Sequence, residues 1–318
     1  MKEFFWIKDK LYLSSKIFLP KLNWKKMKNW ITIFILSIWC PIPICAQYLS
    51  ASDILSWDYP TADFRISYGE DPLQFGDLRI PHSVNFPPVA IIIHGGCYLS
   101  KYDIKHIGIF AQKVTELGIA TWTVEYRRVG DIGGSWPGTF QDIINGTNYL
   151  NSIAEEYSLD LNNVIVIGHS SGGHLALWLG SNEAKSPDNL LNVRNLIKLK
   201  GILALAASTD LQRRYINGDC DNVIEKLIGG KPSDVPERYL QTSPIEMEPI
   251  NIPQILIVGT KDREARIEEN DEYFNDHKKV IDDIKLIKAK ESGHFELIDP
   301  TSSVWKIIEE SIISLIKK

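Results

Sequence analysis

The sequence predicts an α/β fold: a mostly parallel central sheet flanked by helices, with a small cap region. Three observations carry that expectation. Short apolar runs, Val89–Ile93, Val164–Ile167 and Ile252–Val258, read as strands buried on both faces. Segments with helical spacing separate them, such as Ile107, Phe110, Ala111, Val114 and Leu117. With the first 46 residues set aside, about 270 residues remain, a length that one α/β domain fills.

The expected division is an N-terminal extension and secretion signal over 1–46, then a single catalytic domain over 47–318. Lys25, Lys26 and Lys28 precede an apolar run from Trp30 to Trp39, and Ala46 offers a small residue before Gln47. The run is about ten residues, against the roughly 20 that span a bilayer. It therefore reads as a cleaved signal that exports the protein, leaving no stable membrane span. A start at Met27 would give that signal an ordinary length.

The remaining elements follow in order. Ile54–Ile66 is an arm leading to a first strand, and Gly76–Pro81 is a second short strand whose proline marks an edge or an end. Val89–Ile93 follows, then a helix over Ile104–Leu117 with Gly118 just past it. Ile119–Val124 is the next strand. Thr139 and Asp142 have capping-box spacing ahead of a helical stripe running from Phe140 to Tyr157. The stripe reads as core. Arg127 and Arg128 read as loop-holding partners for acids. After Val164–Ile167 come a helix at His174–Leu179 and a strand at Leu199–Ala206. Residues 211–250, with Gly229-Gly230 and four prolines, break the rhythm and read as the cap. Ile252–Val258, a helix over Glu264–Lys279, a strand at Ile284–Ala289 and a helix over Ser302–Ile316 complete the chain.

The chemistry centres on Gly168-His169-Ser170-Ser171-Gly172, placed between strand and helix. Gly-x-Ser-x-Gly there is a nucleophile elbow: a tight turn that pushes the serine hydroxyl out at the carboxyl end of the sheet. His94-Gly95-Gly96 after a central strand has the pattern of a loop that offers backbone N–H groups to an oxyanion. Gly96 and Cys97 are the expected donors, with Ser171 completing the hole. His94 reads as a loop-orienting residue. A serine needs a base, and a base needs an orienting acid. Ser170 follows one strand, Asp262 a later one and His294 the last, all at carboxyl ends. Glu264 and Asp210 are rival acids. His82, His106 and His277 lie outside the right loops, and His169 and His174 read as pointing away along strand and helix.

Composition bounds the partners. The chain is 44% hydrophobic and 24% charged, with a net charge of −5, which argues against nucleic acid. Cys/His spacing suggests no zinc site, so no metal is expected. Cys97 and Cys220 both fall in expected loops; pairing and two free thiols are both open.

Four motifs, His94-Gly95-Gly96, Gly168-His169-Ser170-Ser171-Gly172-Gly173-His174-Leu175, Gly259-Thr260-Lys261-Asp262 and Ser292-Gly293-His294-Phe295, resemble the α/β-hydrolase superfamily. Tyr126–Gly130, Trp136–Phe140 and Gly76-Asp77-Leu78 make the chain similar to its esterase branch, kynurenine-formamidase-like and feruloyl-esterase-like (BD-FAE) enzymes. Cys97-Tyr98 departs from the tryptophan that formamidase-like members carry two residues after His-Gly-Gly. The resemblance implies a serine hydrolase without metal or organic cofactor. The expected reaction is cleavage of a small-molecule or carbohydrate-linked ester through an acyl-enzyme. An arylformamidase, a compact peptidase and a non-catalytic binding protein of the same fold are the alternatives.

Overall fold

Among the described residues, eight strands form one sheet in the order β1-β2-β4-β3-β5-β6-β7-β8. These are β1 Phe64–Ser67, β2 Phe75–Arg79, β3 Pro88–Ile93, β4 Ala120–Val124, β5 Asp160–His169, β6 Gly201–Leu205, β7 Gln254–Gly259 and β8 Ile284–Ala289. The β1–β2 and β2–β4 pairings are antiparallel and all others parallel. This computed structural model describes residues 48–181, 191, 196–249 and 251–317, so the expected secretion signal lies outside the described residues.

Alternation along the strands builds two apolar layers. Val89, Ile91 and Ile93 pack on one face with Val164 and Val166; Ala90 and Ile92 pack on the other with Ile165 and Ile167. All are fully buried, and each large side chain so placed contributes about 1.5–3 kcal/mol. The first layer is covered by α3 (Gly138–Asn148) and α5 (Ser171–Ser181), the second by α2 (Gly108–Thr115) and α10 (Trp305–Lys317). A short α1 (Ala51–Leu55), capped by Ser50, precedes the sheet, and α4 (Leu150–Ile153) follows α3.

Register aligns the chemically important strand ends. Ile93 pairs with Val124 and Gly168, His169 with Leu205, and Gly259 with Ala289. The loops after β3, β5, β7 and β8 therefore leave the sheet at one edge, as expected of an α/β ligand site.

Two local expectations change. Residues Ile104–Ile107 form a 3-10 turn capped by Asp103, and the α-helix begins only at Gly108. Thr139 and Asp142 do not form a capping box, because α3 already starts at Gly138. The Thr139 hydroxyl instead donates to Arg127 O at 2.5 Å and accepts from Ser135 N–H at 3.0 Å. Asp142 accepts a bidentate pair from Arg127, both at 2.8 Å, while Arg128 pairs with Asp131 and Glu125. The two arginines thus hold their loop to acids, as the sequence suggests.

The described residues of the cap include the α-helices α6 (Leu211–Ile216), α7 (Asp219–Ile228) and α8 (Pro236–Thr242). Asp210 caps α6 through the Arg213 N–H. The end of α8 is anchored on α5, where His174 Nε2 meets Thr242 O at 2.6 Å and Trp178 Nε1 donates to Gln241 O at 3.0 Å. Helix α9 (Glu264–His277) separates β7 from β8. No helix among the described residues is long and apolar enough to cross a membrane.

Candidate active site

Ser170 sits one residue past β5 in the left-handed region, at φ 56°. A residue with a Cβ is strained there by about 1–2 kcal/mol. Its surroundings hold it: Ser170 N–H donates to Leu205 O at 2.8 Å, and Ser170 O accepts from His174 N–H at 3.1 Å. The flanking glycines are steric necessities. A Cβ on Gly168 would lie 2.1 Å from Gly172 O, and one on Gly172 would lie 2.1 Å from Ile93 O. The second approach packs the elbow directly against the start of the His94 loop.

That loop is braced from inside. The ring nitrogens of buried His94 face two acceptors, Gly95 O at 2.8 Å and Glu125 Oε1 at 3.0 Å. Tyr126 OH donates to His94 O at 2.9 Å. His94 is thereby committed to the loop, in keeping with its expected orienting role. Cys97 and Tyr98 then take positive φ values of 55° and 58°. Ser171 opens α5 behind the nucleophile, where a first-turn amide has no intrahelical acceptor.

His294 Nδ1 lies 2.6 Å from Asp262 Oδ2. Asp262 is at the turn after β7, and His294 follows β8. The two loops are tied by Lys261 N–H donating to Ser292 O at 2.8 Å. The Asp262 side chain is 1% exposed and that of His294 is 19%. Burial pushes the Asp262 carboxyl up, but the His294 hydrogen bond and charge, with Arg266 behind them, carry it below its usual value. Burial lowers the His294 imidazole and outweighs the Asp262 contact, which raises it. A neutral imidazole with an ionised carboxylate on Nδ1 can take a proton at Nε2. The rival acids are placed elsewhere: Asp210 is a helix cap and Glu264 is exposed in the first turn of α9.

Ser170, His294, Gly96 and Cys97 line one pocket of about 60 Å³, together with Ala51, Tyr102, His106 and Phe295. Sequence reasoning missed the last four. It also misjudged two histidines. His169 does not point away: its Nε2 meets His294 O at 3.0 Å, and the two rings are 4.7 Å apart. His106 is not outside the site, for its Nε2 meets His169 Nδ1 at 3.0 Å. Periodicity carries no signal for a contact spanning 63 residues. Ala51 reaches the pocket because Leu49 N–H donates to Glu296 Oε1 at 2.6 Å, while Glu296 Oε2 accepts from Gly293 N–H at 3.0 Å.

Cys97 is joined to Cys220 by a disulfide, with 5.8 Å between their Cα atoms and 123 residues of sequence separation. Cys220 lies in a left-handed stretch, residues 220–222, within α7. Arg214 Nη2 donates to its Sγ at 3.1 Å. The bridge ties the pocket loop to the cap. Closing so long a loop restricts the unfolded chain, and such bridges contribute about 2–4 kcal/mol. The Cys220→Ala variant is therefore expected to unfold at lower denaturant, with stability reduced by about that amount. An unchanged urea midpoint under non-reducing conditions would reject the bridge as a stabilising element.

Among the described residues, no group of three or more His, Cys, Asp or Glu side chains could hold a metal ion.

The doubly aligned loops, the elbow and the sheet order define an α/β-hydrolase fold. The BD-FAE family model matches residues 77–275, and the chain belongs to the BD-FAE family. A curated relative, the probable isoprenylcysteine alpha-carbonyl methylesterase ICME of Oryza sativa subsp. japonica, is 22% identical over 263 residues, covering 79% of this chain and 63% of the relative. The chain thus spans less than two thirds of that relative's length. Among solved structures, esterase B from Lactobacillus rhamnosis matches with a TM-score of 0.67 at 17% identity, covering 92% of this chain and 94% of that one. A truncated carbohydrate esterase from gut microbiota matches with a TM-score of 0.64 at 19% identity, covering 82% and 98%. At such identities the structural likeness establishes the fold.

Proposed function

We propose that the chain is a serine-dependent carboxylic ester hydrolase. The observation that carries this reading is the 2.6 Å contact of His294 Nδ1 with Asp262, made beside a pocket that also holds Ser170. Ser170 Oγ attacks the ester carbonyl while His294 Nε2 takes its proton. Asp262 holds the imidazole tautomer and stabilises the imidazolium. The N–H groups of Gly96, Cys97 and Ser171 bind the oxyanion. Collapse of the tetrahedral intermediate expels the alcohol, which receives the proton from His294. Water, activated by the same imidazole, then releases the acid from Ser170.

Pocket size favours a short acyl group. About 60 Å³ is far below the several hundred Å³ of a drug-sized site. Acetyl-sized groups on a small or carbohydrate alcohol are the substrates that fit this reading. Export is proposed with it, because a disulfide between Cys97 and Cys220 persists in an oxidising compartment.

The test is labelling of the full chain with a fluorophosphonate, followed by peptide mass spectrometry. The label is expected on the peptide carrying Ser170, and preincubation with an acetyl ester should slow its appearance. Absence of labelling, with no turnover across acetyl esters, acetylated sugars and N-formyl-kynurenine, would favour a binding protein of this fold. Turnover confined to N-formyl-kynurenine would favour the arylformamidase alternative.

A further inference from the structure

Two histidines that the proposed chemistry leaves unused are connected to the third. His106 lies in the 3-10 turn that follows the His94–Tyr98 loop. His169 ends β5, immediately before Ser170. His294 follows β8. His106 and His169 are 3% and 0% exposed, and their rings are stacked with centroids 5.2 Å apart.

Donor accounting fixes every proton along this line. His294 O is a carbonyl and can only accept, so His169 Nε2 carries a hydrogen and donates across 3.0 Å. Burial, first, and the neighbouring histidines hold His169 well below the ordinary imidazole value. It is therefore neutral, and its Nδ1 is a bare lone pair. Among the described residues that lone pair meets His106 Nε2, at 3.0 Å, which must then carry its own hydrogen. Burial likewise pushes His106 down to about 3. Its Nδ1 is the bare end of the line, buried without a partner among the described residues. A hydrogen there would be an orphaned buried donor, so the opposite tautomer is disfavoured at both rings.

We propose that His106 and His169 form a directional hydrogen-bond relay, His106 to His169 to the His294 carbonyl, which makes both of them positioning residues for the base. The inference rests on His294 being the base of the proposed hydrolysis. Its logic is mechanical. His169 is covalently adjacent to Ser170, so a bond from its ring to the His294 backbone fixes the base relative to the nucleophile. His106 acts one step back. Without its donor, His169 Nδ1 is a buried acceptor left unpaired, and the ring, held at one nitrogen only, is free to turn and carry His294 with it. A displacement of about 1 Å at a reacting pair costs up to about 100-fold in rate.

The test pairs two variants with a spectroscopic readout. His106→Phe keeps the ring volume and removes the donor; His106→Gln places an amide N–H near the lost Nε2–H. With an acetyl ester, His106→Phe is expected to lower kcat by about 10- to 100-fold with KM within about twofold. His106→Gln should recover most of that loss. In protein labelled with 15N-histidine, two-dimensional NMR should show His169 as the neutral Nε2–H tautomer, and His106→Phe should move its Nδ1 resonance as that lone pair loses its donor. Equal kcat values for the two variants, or a change in KM alone, would overturn the relay, since mere cavity filling does not distinguish phenylalanine from glutamine in this way. If His106→Phe fails to fold, the tautomer of His169 in the unsubstituted protein decides: Nδ1–H overturns the relay and Nε2–H supports it. If the unsubstituted protein hydrolyses no ester, the proposed function fails while the tautomer still reports on the relay itself.

Discussion

Replacing Ser170 by alanine is expected to lower kcat for a short-chain aryl ester by about 10⁴- to 10⁶-fold while leaving the fold intact. The loss is large because the nucleophile, base and acid act as one unit, and removing the first leaves nothing for His294 to activate except water. Residual turnover would come from the oxyanion donors and from binding. Stability should hardly change, for a physical reason specific to this position. Alanine carries the same Cβ as serine at φ 56°, so the left-handed strain is retained rather than relieved. The hydrogen bonds that hold the turn, Ser170 N–H to Leu205 O and His174 N–H to Ser170 O, are made by backbone. Thermal unfolding of the variant should therefore overlay that of the parent, which separates a chemical loss from a folding one. Turnover equal to the parent's would end Ser170's candidacy as the nucleophile.

The sheet was legible in the sequence because its strands are buried on both faces. Ile91, Ile92 and Ile93 are all fully buried, which matches a β-branched run read as a strand covered on both faces. The elbow was legible for a related reason: its glycines answer close backbone contacts at Gly172 O and Ile93 O that any Cβ would violate. Strand order favoured Asp262 as the partner of His294 but left Asp210 and Glu264 as rivals. What could not be read were the contacts that no motif or strand order announces. His169 looked like an ordinary strand-end residue, yet its ring turns onto the His294 backbone. Ala51 came from the arm before the sheet, brought to the pocket by the bond between Leu49 N–H and Glu296 and by Ile54 packing into the core. Cys97 and Cys220 carried no spacing signal, because a bridge over 123 residues is decided by where the cap lands. Thr139 misled in the opposite direction: the local pattern fitted a capping box, but Arg127 O and Asp142's ion pair claimed both side chains first.

The Asp262→Asn variant should fail in a way that differs from the loss of Ser170. The amide preserves size but removes the charge that His294 Nδ1 now faces at 2.6 Å. It can also present an N–H to the imidazole, favouring the tautomer whose proton sits on Nε2, where the base needs a lone pair. A fall in kcat of about 10⁴-fold is expected. The pH dependence adds a second, independent sign. In the parent, burial holds the His294 imidazole below its ordinary 6.5, so kcat/KM is present above that lowered value and is lost as pH falls through it. The Asp262 carboxylate opposes this by raising the imidazole, through its hydrogen bond and its charge. Removing the carboxylate leaves burial unopposed. The acid limb of kcat/KM should then move to still lower pH while the plateau collapses. A purely structural acid would lower the plateau and leave the limb in place, and an upward move of the limb would reject Asp262 as the group that stabilises the His294 imidazolium.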